Sequence, residues 1–253
     1  MRIDKKTILG TICLVLATTA AVGQQFNSGP AQTVMIELYT SEGCSSCPPA
    51  ESLLNSFVDN PRLWSSFVPL AFHVDYWDYL GWRDHYALPE NAKRQRRYAD
   101  LKNLRTVYTP AFVVNGVGWR PGWINKTPEG GGQTVGELSV TLEGQGFTAR
   151  FDTPDPNPPR LQLNLAILGM GFDSAIKAGE NAGRDSRHEF VVLSHQRFRA
   201  DGAQWEGRLQ DWDSKAATRL ALVAWVSRLG DPAPLQATGG FLSLSRRRLP
   251  VFE

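Results

Sequence analysis

The spacing of apolar residues changes character along the chain. Val34–Tyr39 is an apolar run interrupted only by Glu37, the pattern of a buried strand. Behind Ala50-Glu51-Ser52, the residues Leu53, Leu54, Phe57 and Val58 fall at helical spacing. They predict a helix to about Val58, stopped by Asp59-Asn60-Pro61. Phe67–Asp75 predicts a second strand, followed by an aromatic and acidic loop from Tyr76 to Asp84. Residues 89–105 read as a basic amphipathic helix, with Lys93, Arg94, Arg96, Arg97, Lys102 and Arg105 on a solvated face. Val107–Gly116 reads as turn, strand, turn. Past Gly130-Gly131-Gly132, a turn or hinge, the period becomes that of short alternating strands at 137–142, 147–151, 161–168, 189–195 and 220–226. Turns such as Thr153–Pro159 separate them, and no long helix is evident. The pattern predicts an α/β domain over 24–130 and an antiparallel, sandwich-like β domain over 131–253, preceded by a leader at 1–23.

Composition narrows this picture. At 42% hydrophobic and 21% charged residues, the chain of 253 is expected to bury a core. A net charge of +2 gives no case for a nucleic-acid partner. The leader places Arg2, Lys5 and Lys6 before an apolar Thr7–Ala17, followed by small residues up to Gly23. That is the order of a secretory signal, cleaved after Ala21 or Gly23; an uncleaved anchor is the alternative. The expectation is a secreted or periplasmic protein with no stable membrane insertion after cleavage. Cleavage removes Cys13 and leaves Cys44 and Cys47 as the only cysteines.

Those two residues carry the candidate chemistry. Cys44-Ser45-Ser46-Cys47-Pro48-Pro49 lies where the first strand gives way to the first turn of a helix. The free amides and dipole of a helix N-terminus favour a thiolate, the reactive form of cysteine. Cys44 is expected to be the exposed attacking sulfur and Cys47, one turn deeper, the resolving one. The prolines fall where missing amides do least harm. A plain structural disulfide and half of a metal site are the competing readings, although no second cysteine pair completes a four-thiolate zinc site.

The order of a C-x-x-C at a helix start, a second strand, a helix, then Thr109-Pro110 before an apolar strand ending Asn115-Gly116, resembles the thioredoxin fold. The resemblance implies that Pro110 is cis and, with its neighbour Thr109, holds a partner strand beside the sulfurs. A trans proline at a strand start is the alternative. It also implies a buried acid before the cysteines, best matched by Glu37, which would relay the resolving thiol's proton; an edge glutamate facing solvent is the alternative. Ligands gather at the carboxyl ends of strands in such sheets, so the loop after the second strand is a second candidate. His73 there is either a core histidine, a cation lowering the thiol pKa, or a third ligand with Cys44 and Cys47 for Cu(I), which thiolates select. Glu37–Ala50, His73–Asp78 and Gly179-Glu180-Asn181 together are also similar to a family of predicted secreted bacterial proteins of unknown function.

The leading expectation is an exported thiol–disulfide oxidoreductase acting on protein thiols and disulfides of the cell envelope, with no cofactor. A copper-binding metallochaperone using the same cysteines is one alternative. The other is a non-catalytic interaction protein whose β-rich part binds a partner.

Overall fold

The computed structural model describes residues 23–122, 128 and 132–243. The expected signal segment up to residue 22, Gly130-Gly131 and the basic Arg246-Arg247-Arg248 tail lie outside the described residues. Among the described residues, no helix is long and apolar enough to cross a membrane.

The strands are β1 (Gln24–Asn27), β2 (Val34–Thr40), β3 (Phe67–His73), β4 (Ala111–Val114), β5 (Val117–Trp119), β6 (Glu137–Glu143) and β7 (Gly146–Asp152). They continue with β8 (Leu161–Met170), β9 (Phe172–Ala175), β10 (Asp185–His188), β11 (Val191–Arg199), β12 (Gln204–Arg208), β13 (Arg219–Arg228) and β14 (Pro234–Phe241). The helices are α1 (Pro48–Asn55), extended by a 3-10 turn over Ser56–Asp59, and α2 (Pro89–Asp100).

Each boundary has a local cause. Both helices start on proline at a first-turn position, where the absent N–H is not missed. α2 ends before the 105 expected from its pattern. Lys102 turns left-handed (φ 61°), and the amides of Asn103 and Leu104 both fold back onto the Tyr98 carbonyl. The β4–β5 hairpin turns on Asn115 and Gly116, both at positive φ, and a Cβ on Gly116 would come within 2.3 Å of Ala233 Cβ.

The architecture corrects the expectation of an α/β thioredoxin-like domain followed by a separate β-rich sandwich. Of the described residues, 43% lie in strands and only 13% in helix. The dominant element is one eight-stranded sheet of order β14-β13-β8-β11-β3-β2-β4-β5. The strands after residue 130 hydrogen-bond directly to those before it: β11 takes the free edge of β3 through a parallel bridge, Val191 to Ala71. The sequence pattern showed strand–helix–strand units correctly but carried no sign that β3's second edge is filled from 120 residues downstream.

A four-stranded antiparallel sheet, β1-β6-β7-β12, packs on the distal half of the large one. β8 and β13 therefore have a core on each face, and their alternate residues divide between the two. Leu163, Leu165 and Ile167 with Leu222, Ala224 and Val226 face the small sheet. Ala166, Leu168 and Met170 with Ala221, Val223 and Trp225 join the core beneath β2, β3 and the helices. Strands buried on both faces tend to read as apolar runs; β13 does over Leu220–Val226, while β8 carries Gln162 and Asn164 among its apolar residues.

Candidate functional site

The cysteine loop hangs from the carboxyl end of β2. The Cys44 amide donates to the Ser41 carbonyl (3.1 Å) and the Cys47 amide to the Cys44 carbonyl (3.2 Å), so two successive turns bring the sulfurs together as a disulfide. Cys47 is the N-cap of α1, and the amides of Ala50 and Glu51 donate to its carbonyl. The Thr109–Pro110 peptide is cis, and Thr109 accepts a 2.7 Å hydrogen bond from the Trp77 indole. Trp77 in turn packs over Gly43, where a Cβ would meet Trp77 Cβ at 3.1 Å. Beside the loop runs a groove of about 630 Å³ lined by Ser46, Pro49, Tyr108, Pro110 and Trp119. Cys44, Cys47, Thr109 and Pro110 are thus brought to one end of the molecule.

One expectation about the sulfurs is corrected. Both cysteines are buried, with 0% exposure, while Ser45 and Ser46 between them are exposed. The turn after β9 is tied to this loop: the Asn181 side chain donates to the carbonyls of Glu42 (2.8 Å) and Cys44 (2.9 Å), and Glu180 accepts from the Ser45 amide (3.1 Å). Cys44 Sγ lies 3.3 Å from Ser46 Oγ, a contact the sequence reading did not foresee.

Glu37 is buried, not an edge residue, but its partners are not the cysteines. Arg94 Nε and Nη2 clamp its carboxylate at 2.7 and 3.0 Å, and the Tyr98 and Tyr39 hydroxyls donate to it. Arg94 in turn lies over the rings of Phe72, Tyr98 and Trp225. A carboxylate held this way is a structural counterion, and Arg94 does not belong to the solvated face on which its helical spacing placed it.

His73 is likewise buried away from the dithiol as ligand. Its Nδ1 is 2.8 Å from Asp84 Oδ2, and its ring meets that of His188 edge-on with centroids 5.1 Å apart. His188 stands between two carboxylates, Nε2 3.2 Å from Glu42 and Nδ1 3.2 Å from Glu51. Burial alone would lower its pKa, but the two carboxylates raise it to about 10. Burial alone would raise the Glu42 carboxyl; His188, Ser174 and Trp82 hold it well below the ordinary carboxylate range. Burial opposes ionisation of Glu51 too, and His188 with His73 and Thr40 outweighs it. Sequence reasoning missed Glu42, Glu51 and His188. The first two sit within or next to the cysteine motif, but His188 lies more than 130 residues away, and nothing in its neighbourhood announced a site.

The family model described as protein of unknown function (DUF1223) matches residues 35–227, which includes the cysteine loop, Pro110 and His188. The chain belongs to the DUF1223 family. No curated protein matches it. Among solved structures, a crystal structure of a protein from Agrobacterium tumefaciens is similar at 23% identity and a TM-score of 0.57, over 87% of this chain and 97% of that one. HBP35 of Porphyromonas gingivalis is similar at 14% identity and a TM-score of 0.53, over 89% of this chain and 79% of that one. Likeness at these identities concerns the fold alone.

Proposed function

We propose that this DUF1223 chain is an exported thiol–disulfide oxidoreductase working through Cys44 and Cys47 on protein thiols and disulfides of the cell envelope. The observation that carries the reading is local: a C-x-x-C disulfide at a helix N-terminus, next to a groove shared by Ser46 and the Thr109–Pro110 segment. The reading rests on that arrangement and not on a fold class.

In the oxidised form, a partner thiolate attacks Cys44 Sγ. The Cys44–Cys47 bond breaks, a partner–Cys44 disulfide forms, and Cys47 leaves as a thiolate that takes up a proton. A second partner thiolate then attacks the partner sulfur of the mixed disulfide. The partner is left oxidised and both cysteines reduced, two electrons having moved. The Ser46 hydroxyl, within reach of Cys44 Sγ, is placed to donate to the thiolate released there. In the closed form the sulfurs do not meet solvent, and in this reading the turn holding Glu180 and Asn181, tied to the cysteine loop, lifts to admit the partner.

The test is catalysed reduction of insulin disulfides, or refolding of a scrambled disulfide protein, by the full mature chain. Cys44→Ser is expected to fall to the uncatalysed rate. Cys47→Ser is expected to accumulate the mixed disulfide with its partner. Full activity in Cys44→Ser would defeat the assignment.

A further inference from the structure

Beneath the cysteine loop, five titratable side chains come together with very little solvent. His73, His188, Glu42 and Asp84 are 1–3% exposed and Glu51 is 8% exposed. One donor atom from each of Glu51, His73 and His188 lies within 4.8 Å of the other two.

Two features distinguish this group from an ordinary buried ion pair. The first is unmet bonding. Both ring nitrogens of His188 and one oxygen of Glu42 are buried without a hydrogen bond. At 3.2 Å from their carboxylates they feel ionic attraction, but they lie off the N–H directions. Buried polar atoms left without partners are costly, and His188 Nδ1, which faces Glu51, is the one of these that a bound ion would satisfy. The second is charge. Three carboxylates, Glu42, Glu51 and Asp84, share the site, and among the described residues neither Lys nor Arg pairs with any of them. A cation held among them would supply countercharge at one point.

We propose that Glu51, His73 and His188 bind a single divalent transition-metal ion of the zinc type. Two imidazoles and one carboxylate suit such ions, whereas magnesium and calcium prefer oxygen alone. The 3.2 Å separation of His188 Nδ1 and Glu51 Oε2 is close to the edge of a tetrahedral shell with bonds of ~2.0–2.1 Å. The outer partners fit as well. A ligating histidine ordinarily gives its other nitrogen to a carboxylate; Asp84 pairs with Nδ1 of His73, which leaves Nε2 for the metal, and Glu42 lies 3.2 Å from Nε2 of His188, in ionic contact without a hydrogen bond, which leaves Nδ1. Three protein donors leave a coordination position for water. On the far side of Glu42 stands His85, whose side chain is 64% exposed. The cysteines are not ligands, and the site is independent of whether the disulfide exchanges.

The test uses the mature full chain, stripped with chelator and titrated with Zn(II) alone against a chromophoric competitor. One zinc per chain is expected, in the wild type and equally in the Cys44→Ser/Cys47→Ser double variant. X-ray absorption is expected to show nitrogen and oxygen scatterers at ~2.0–2.1 Å and no sulfur. Asp84→Asn should weaken binding by ~10–100-fold, as loss of an outer-shell partner does, and Glu51→Gln and His188→Asn by more. Near-UV circular dichroism reports whether each variant folds; where one does not, the wild-type stoichiometry and scattering shell decide alone. A wild-type chain that stays metal-free at micromolar zinc overturns the proposal. So does a sulfur-containing shell, or zinc affinity unchanged in folded Glu51→Gln.

Discussion

Arg94→Ala is expected to cost the fold about 3–5 kcal/mol, the loss typical when one partner of a buried ion pair is removed. A domain has only about 5–15 kcal/mol of net stability, so this is among the most damaging single changes available. The guanidinium holds both oxygens of Glu37 and donates to the Pro232 carbonyl at 2.9 Å. Without it, the Glu37 carboxylate remains between Tyr39 and Tyr98 with two hydroxyl donors and no countercharge. The three rings that Arg94 covers would also border a void. Urea unfolding at 25 °C measures the loss. Pairing the change with Glu37→Leu, as Glu37→Leu/Arg94→Met, should restore much of it, because removing both charges spares the desolvation cost that one alone leaves. Recovery should stop short of wild type, since the Tyr39 hydroxyl loses its acceptor. A double variant no more stable than Arg94→Ala would show that packing, not charge, dominates here.

The same residue shows how far the sequence could be read. Helical spacing in 89–105 identified an amphipathic segment but assigned every basic residue to solvent. Periodicity distinguishes faces, and it cannot say that one cation on the polar side meets a buried glutamate 57 positions earlier. Strand existence was legible in Val34–Tyr39, Phe67–Asp75 and the later alternating runs, because a short apolar run or a period-2 alternation is a local signal. Sheet membership was not: β3's two neighbours, β2 and β11, are separated by more than 150 residues, and nothing in either stretch encodes the pairing. The cysteine loop and Thr109–Pro110 were visible as motifs and do meet around one groove. The exposure of Cys44 and the placing of His73 depended on what covers them. Asn181 and His188 arrive from the distant β9–β10 hairpin region, so neither outcome was available from local pattern.

Asn181→Ala is expected to speed reduction of the Cys44–Cys47 disulfide by dithiothreitol about 5–150-fold. The estimate follows from the ~1–3 kcal/mol cost of leaving a buried carbonyl unpaired, here that of Glu42; the Cys44 carbonyl also loses Asn181 but keeps the Cys47 amide. In the closed form the Glu42 carbonyl loses its donor; in the opened form water reaches it. The equilibrium therefore moves toward opening, and local opening, not global unfolding, sets the rate at which a buried disulfide meets a reductant. The increase should appear in the absence of denaturant and exceed any fall in global stability measured by urea. Glu180, whose carboxylate is exposed and accepts from Ser45, should matter far less, so Glu180→Gln serves as a comparison within the same turn. A reduction rate in Asn181→Ala equal to that of the wild type would mean the turn does not gate the sulfurs. Access would then have to come from the groove side, past Ser46 and Pro110, and the partner would reach Cys44 without displacing any part of the β9–β10 connection.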